Sequence, residues 1–130
     1  MPADRLPFQY ATVRLVPNIE RGEFINAGVV LFCRQGRFLA ARTQLDDAAL
    51  SALTGDCDTS EVRSQLATLE AVAAGDPAGG AVAGLPPSER FHWLTAPAST
   101  IVQSSPVHTG LTADPAAELD RLFGVLVSRP

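Results

Sequence analysis

Two apolar segments separated by a charged turn constrain this fold more than any other feature. Residues 8–16 are rich in aromatic and β-branched side chains, and residues 25–34 form a nearly unbroken apolar run. Both patterns are typical of β-strands, and the second is typical of a central strand covered on both faces. Residues 38–42 continue the pattern after Gln35 and Gly36, a short turn in which glycine can adopt positive φ. The region 8–42 therefore predicts an antiparallel meander.

The remainder of the chain has mainly helical periodicity. Apolar side chains recur at helical spacing in residues 46–53, 59–74 and 115–127. Asp46, Asp58 and Asp114 stand at the starts of these segments as caps, and Asp58 forms a capping-box pattern with Glu61. Residues 76–88 are rich in glycine, alanine and proline, which predicts a flexible connection.

The length and composition indicate one domain. A chain of 130 residues with 46% apolar content buries roughly two thirds of its unfolded surface. We therefore predict a single α+β domain, an antiparallel meander of three or four strands covered by three or four helices. Its parts are the meander at about 8–42, a helical part at about 46–75, the flexible loop 76–88, and a mixed segment with the C-terminal helix at 89–128.

The apolar runs and the cysteines bear on the compartment. The longest apolar run, residues 27–33, is far shorter than the ~20 residues that a membrane span requires. The N-terminus has no basic region leading into an apolar block, so we expect no secretory signal and a cytoplasmic protein. In that reducing compartment Cys33 and Cys57 should be free thiols.

The charged residues exclude several chemistries. All ten basic residues are arginine, so lysine-dependent Schiff-base and pyridoxal-phosphate mechanisms and the GxxxxGK[ST] phosphate loop are absent. A net charge of -4 and a pI near 5.0 argue against nucleic-acid binding. Arg34, Arg37 and Arg42 surround one predicted hairpin, where scattered solubilising charge is favoured over a phosphate-binding stripe.

The turn between the first two strands is the first candidate site. A two-residue turn is sufficient to connect strands, yet this one carries Glu20, Arg21, Glu23 and Asn26 beside the core. Glu20 and Glu23 can share acid and base roles. Alternatively, ion pairs with Arg14 and Arg21 fix the strand crossing, and we favour this interpretation. Asn26 either faces a ligand or, as we favour, satisfies backbone groups.

The second candidate site is the segment 90–110. It contains a polar and aromatic set of side chains that can line a pocket: His92, Trp93, Ser104, His108 and Thr109. Its pattern allows a helical turn capped by Ser88 and a short strand at residues 100–103. For Trp93, a role as a core or interface anchor is favoured over a ligand platform.

Catalytic and metal sites have weaker support in the sequence. His92 and His108 with Glu20 or Glu23 have the chemistry of metal ligands, but no HExxH helix or paired cysteines accompany them. Ser104, Ser105 and Cys33 are potential nucleophiles, but no GxSxG elbow is present. We therefore predict no metal, no cofactor and no assigned catalytic residue.

Two separated motifs carry a family resemblance. A strand ending in VP, the turn ERGEFINAGVVLF and the later FHWLTAPASTIVQSSPVHTG together resemble the bacterial domain-of-unknown-function family 3037, from about Tyr10 to Leu126. The resemblance implies no established activity and no assigned catalytic residues. Members of that family lie beside genes resembling HipA-type toxin kinases, so it also implies a partner or accessory role with a HipA-like kinase.

These observations favour a small cytoplasmic binding or regulatory module with a protein or small-ligand partner, no membrane partner, and a homo-oligomeric state left open. The alternative is an enzyme of hydrolase or nucleotide-processing type that uses Glu20, Glu23, His92 and His108. A nucleic-acid accessory role is weaker still. We further predict that the two polar stretches form one surface, on which Glu23 faces His108, because polar groups beside apolar strands need partners.

Overall fold

A five-stranded antiparallel sheet with helices on both faces organises the fold. The structure, a computed structural model, describes residues 4–55, 58–98 and 100–129. The elements are, in chain order, β1 (Leu6–Leu15), β2 (Ile25–Cys33), β3 (Phe38–Thr43), α1 (Asp47–Thr54), α2 (Ser60–Ala74), α3 (Pro87–Leu94), β4 (Val102–Ser104), β5 (His108–Thr112) and α4 (Pro115–Leu126). The predicted α+β class and the three-strand meander are confirmed.

The strand order is β3-β2-β1-β4, and β5 also pairs with β1. β4 pairs with residues 13–15 of β1 and β5 pairs with residues 6–10, so the two short strands share one edge of β1. Pro106 lies between them and has no backbone N–H to donate. The C-terminal part of the sheet is therefore one edge strand that is interrupted at residues 105–107.

Two apolar cores lie on opposite faces of the sheet, because alternate side chains of a strand point to opposite faces. The core under α1, α2 and α3 includes Leu15, Val30, Leu50, Leu66 and Phe91. The core under α4 includes Phe8, Leu31, Cys33, Leu122 and Phe123. Each fully buried leucine or phenylalanine contributes about 1.5–3 kcal/mol to folding. The predicted central strand, β2, supplies side chains to both cores.

Two of the three predicted caps are present. The Asp46 carboxylate accepts the Ala49 N–H at 3.0 Å, and the Asp114 carboxylate accepts the Ala117 N–H at 3.1 Å. The prediction for α2 is wrong by one residue, because Asp58 accepts the Ser60 N–H in a local turn and Thr59 is the N-cap. Ser88 likewise lies inside α3 and does not cap it, since the helix starts at Pro87.

The segment after α2 has more regular structure than its composition predicts. It forms two 3₁₀ turns, Pro77–Gly79 and Ala81–Gly84, before α3 begins. The Asp76 carboxylate caps the first turn by accepting the Ala78 N–H, and the Ala83 side chain is buried. Local hydrogen bonding and this burial give the segment its structure where the sequence predicted a loop.

The β2–β3 turn differs from the prediction in which residue has positive φ. Arg37 has φ 52°, whereas Gly36 is not among the residues with positive φ. A Cβ at Gly36 would lie 3.1 Å from Cys33 Sγ and 3.3 Å from Pro115 Cγ. Glycine at position 36 therefore permits close packing of α4 against the turn, and the left-handed conformation falls on an arginine.

Cys33 is buried and is a free thiol, while Cys57 lies outside the described residues. The thiol of Cys33 packs in the core under α4 as a small apolar group.

In the described part of the chain, no helix is both long enough and apolar enough to cross a membrane.

Candidate functional site

A cleft of about 510 Å³ lies between α2 and the segment that leads from the end of α3 into β4. We call it the α2–β4 cleft. Its polar lining residues are Glu61, Ser64, Gln65, Thr68, Thr100, Gln103 and Ser104. Its apolar lining includes Val13, Leu69, Trp93, Leu94, Pro97 and Val102.

Side chains of α2 and of β4 form the walls of the cleft. On α2, Ser64 and Thr68 are four residues apart and lie on one flank, while Val62 and Leu66 are buried in the core. On β4, Ser104 pairs with Val13 and therefore points to the same face of the sheet. Two hydroxyl-bearing walls thus face a common apolar floor.

Trp93 lies at the end of α3 and contributes to the cleft. Its neighbours Phe91 and Leu94 are buried, and the Phe91 ring lies 5.4 Å from the Phe32 ring, centroid to centroid. Trp93 itself is 44% exposed. The indole is therefore not a core anchor, and its exposed surface is available to a ligand or partner.

The lining of the cleft is nearly uncharged. Of the described residues that line it, Glu61 alone carries a charge, and its carboxylate accepts a hydrogen bond from Gln65 Nε2 at 3.2 Å. The other polar groups are hydroxyls and amides, which donate and accept without net charge. The cleft therefore suits an uncharged ligand with an apolar surface.

Polar groups of the charged turn form hydrogen bonds and an ion pair with one another. The Asn18 side-chain oxygen accepts the N–H groups of Glu20 and Arg21 at 3.0 and 3.3 Å. Arg21 Nε lies 2.5 Å from Glu23 Oε1, and both side chains are exposed. The favoured salt-bridged interpretation agrees with this pair, whereas Arg14 instead lies over the Phe24 ring at 4.2 Å.

The ion pair between Arg21 and Glu23 predicts a shift in the pKa of Glu23 that a titration can measure. The hydrogen bond from Arg21, aided by its charge, holds the pKa of Glu23 below its ordinary value. The stabilisation is thus present above the unfolded pKa and is lost as pH falls through the folded pKa. NMR titration should give a Glu23 midpoint below that of an ordinary glutamate, and Arg21→Gln should raise it. A midpoint that does not move in Arg21→Gln would contradict the assignment.

Asn26 and Arg14 lie on the α4 side of the sheet. Asn26 Nδ2 donates to the Leu126 carbonyl at 3.1 Å. This carbonyl belongs to the last turn of α4, where carbonyl groups have no N–H partner within the helix. The favoured backbone role of Asn26 agrees with this contact. Arg14 Nε is buried and has no hydrogen-bond partner within the described residues.

The remaining candidate residues are distributed over α3, β4 and β5. His92 is exposed on α3, and Ser104 lines the cleft while its hydroxyl donates to the Ser105 carbonyl at 2.8 Å. His108 is exposed on β5, with its ring 5.2 Å from the Tyr10 ring, centroid to centroid. Thr109 pairs with Gln9 on the same strand edge.

The structure separates His108 and Thr109 from the charged turn, although Ser104 pairs with Val13 near the end of β1 where the turn begins. His108 pairs with Tyr10, whereas the charged turn follows Leu15, five residues further along β1. At about 3.3 Å per residue the separation along the strand is roughly 17 Å. The hypothesis that Glu23 faces His108 is therefore wrong, because β5 pairs with the opposite end of β1. Glu23 and His108, two of the four residues of the enzyme hypothesis, are therefore not brought together.

The described residues contain no group of three or more histidine, cysteine or acidic side chains that could hold a metal ion.

The α2 wall of the cleft was missed by sequence reasoning, which placed Trp93 and Ser104 in a pocket without a second wall. A weak signal was present. Ser64, Gln65 and Thr68 are uncharged on a helix flank where charged residues are common.

Comparison with known proteins adds a family. No curated protein and no solved structure gives a significant match to the chain. A family model described as "Protein of unknown function (DUF3037)" matches residues 10–127. The match covers β2 to β5, the second half of β1, most of both cores and the α2–β4 cleft. The chain therefore belongs to the DUF3037 family, as the two sequence motifs predicted.

Proposed function

We propose that this chain is a binding domain that holds an uncharged ligand with an apolar face in the α2–β4 cleft. The observation that carries the proposal is the lining: hydroxyl and amide groups on two walls, an apolar floor, and the half-exposed Trp93 at one side. Polar groups placed beside apolar surface in a concave cleft are typical of ligand sites.

The volume and the charge of the cleft support this ligand class. A cavity of about 510 Å³ falls within the 300–1,000 Å³ that is usual for small-molecule sites. An anionic ligand would approach the Glu61 carboxylate without a compensating arginine among the described lining residues. An uncharged ligand avoids that repulsion and the cost of desolvating a charge.

The groups in the cleft favour binding over catalysis. The Ser104 hydroxyl donates to the Ser105 carbonyl, and neither histidine is among the lining residues. A nucleophilic mechanism requires a base within hydrogen-bond reach of the nucleophile. We extend the proposal to a cytoplasmic binding or regulatory module. A HipA-like kinase as protein partner and a homo-oligomeric state remain predictions.

A pair of dyes tests the ligand class. Trp93 is the only tryptophan, so energy transfer from it reports binding beside the cleft. Neutral phenylnaphthylamine should bind and quench Trp93 emission, whereas its anionic sulfonate should bind several-fold more weakly. Thr68→Arg places a long cationic side chain in the cleft and should weaken binding of the neutral dye by about tenfold, or about 1.4 kcal/mol.

Ala67→Arg is the matched control, because Ala67 is the exposed neighbour of Thr68 on α2 and is not a lining residue. It should bind the neutral dye like the unmodified protein. Equal weakening in both variants would place the dye elsewhere, and tighter binding of the sulfonate would refute the uncharged ligand class.

A further inference from the structure

A second cavity, of about 490 Å³, lies at the other end of α3. The β2–β3 turn, the end of α2 and the start of α3 form its walls. Its polar lining residues are Arg34, Arg37, Ser88 and Arg90. We call it the arginine cavity. The sequence brought Arg34 and Arg37 together in one hairpin, but Arg90 reaches them only through the fold.

The three arginines of the cavity have no acidic partner among the described residues. Five other arginines of the described chain pair with carboxylates: Arg21, Arg42, Arg63, Arg121 and Arg129. Within the described residues, neither an ion pair nor an acidic lining residue is found at the arginine cavity. Three unpaired guanidinium groups therefore line one cavity on a chain of net charge -4.

Arg90 is held in position by backbone oxygens. Its Nη1 donates to the carbonyls of Val72 and Ala73 at 3.0 and 2.7 Å, and its Nε donates to the Leu85 carbonyl at 2.9 Å. These contacts satisfy carbonyls at the end of α2. They order the guanidinium without neutralising it, so its charge is available in the cavity.

The backbone at Arg37 adds a separate observation. It is the only non-glycine residue with positive φ in the part of the chain that is described, at φ 52°. Glycine adopts this conformation at lower cost. An arginine retained in a strained conformation beside a cavity is typical of a residue whose side chain is used there.

We infer that the arginine cavity binds a small dianion of the phosphate class, with Arg34 and Arg37 donating from the turn and Arg90 fixed behind them. Guanidinium groups match the oxygens of phosphate in charge and in geometry. The Ser88 hydroxyl supplies a further donor. The charge is confined to a cavity, which fits a small anion better than the extended backbone of a nucleic acid. This site is separate from the α2–β4 cleft.

Calorimetry with inorganic phosphate and pyrophosphate at low ionic strength tests the inference. The unmodified protein should bind pyrophosphate more tightly than malonate, a dicarboxylate dianion without phosphorus. Arg37→Gly should weaken pyrophosphate binding by about tenfold and should leave the melting temperature unchanged or raise it, because glycine relieves the positive φ. Loss of binding with retained stability separates a ligand role from a structural one.

Arg42→Gln is the matched control, since Arg42 lies on β3, does not line the arginine cavity and pairs with Asp120. It should bind pyrophosphate like the unmodified protein. Three results would overturn the inference: no binding of either phosphate at millimolar concentration, equal weakening in Arg42→Gln, or binding of malonate as tightly as pyrophosphate. Each of these results leaves the proposal for the α2–β4 cleft standing.

Discussion

Replacing Gly28 with valine should lower the free energy of unfolding by about 3 kcal/mol, the upper end of the usual cost of overpacking. A Cβ at this position would lie 2.8 Å from the Arg42 carbonyl oxygen and 2.9 Å from Thr43 Cγ2. Gly28 pairs with Val13 on one side and Thr43 on the other, so both neighbouring strands restrict it. The added methyl groups can be accommodated only if β3 moves away from β2.

Urea denaturation of the two proteins measures the difference. Gly124→Val is the matched control, because a Cβ there meets no atom within 4 Å. Its stability should change little, since valine is a slightly better helix former than glycine. A Gly28→Val protein with an unchanged denaturation midpoint would show that β3 is not packed as tightly as the structure has it.

The sequence predicted the elements whose signals are local. The apolar pattern of residues 25–34 identified the central strand, and the caps at Asp46 and Asp114 identified two helix starts. Gly28 was also predicted to be restricted, by close backbone approach or by positive φ. The structure has the close approach, and Gly28 is not among the residues with positive φ. Periodicity and capping act over a few residues, so these predictions needed no tertiary contacts.

The candidate sites could not be assembled in the same way. The α2–β4 cleft joins Ser64 to Ser104, and the arginine cavity joins Arg37 to Arg90. Each pair is brought together by the packing of α2 and α3 on the sheet, which leaves no local signal in the sequence. The error over Glu23 and His108 has the same origin, because composition alone does not determine which end of β1 an edge strand meets.

The two cavities lie at opposite ends of α3. Ser88 in its first turn faces the arginine cavity, and Trp93 near its last residue faces the α2–β4 cleft. At 1.5 Å per residue the two positions are about 7.5 Å apart along the helix axis. A single ligand with a phosphate at one end and an uncharged apolar part would need to pass along α3 to occupy both. The dye and phosphate titrations, performed together, measure whether the sites compete.

Replacing Ser105 with alanine should lower the free energy of unfolding by about 2 kcal/mol, the cost of leaving a buried N–H group without a partner. Ser105 is buried, its Oγ accepts the Thr12 N–H at 2.9 Å, and its own N–H donates to the Thr12 carbonyl at 2.9 Å. The hydroxyl thus continues the sheet hydrogen bonding at the break before Pro106. Ser104→Ala is the control, because that half-buried hydroxyl donates only to the Ser105 carbonyl, and its loss should cost much less. Denaturation curves of the two variants that coincide would show that the Ser105 hydroxyl does not join β4 and β5 to β1.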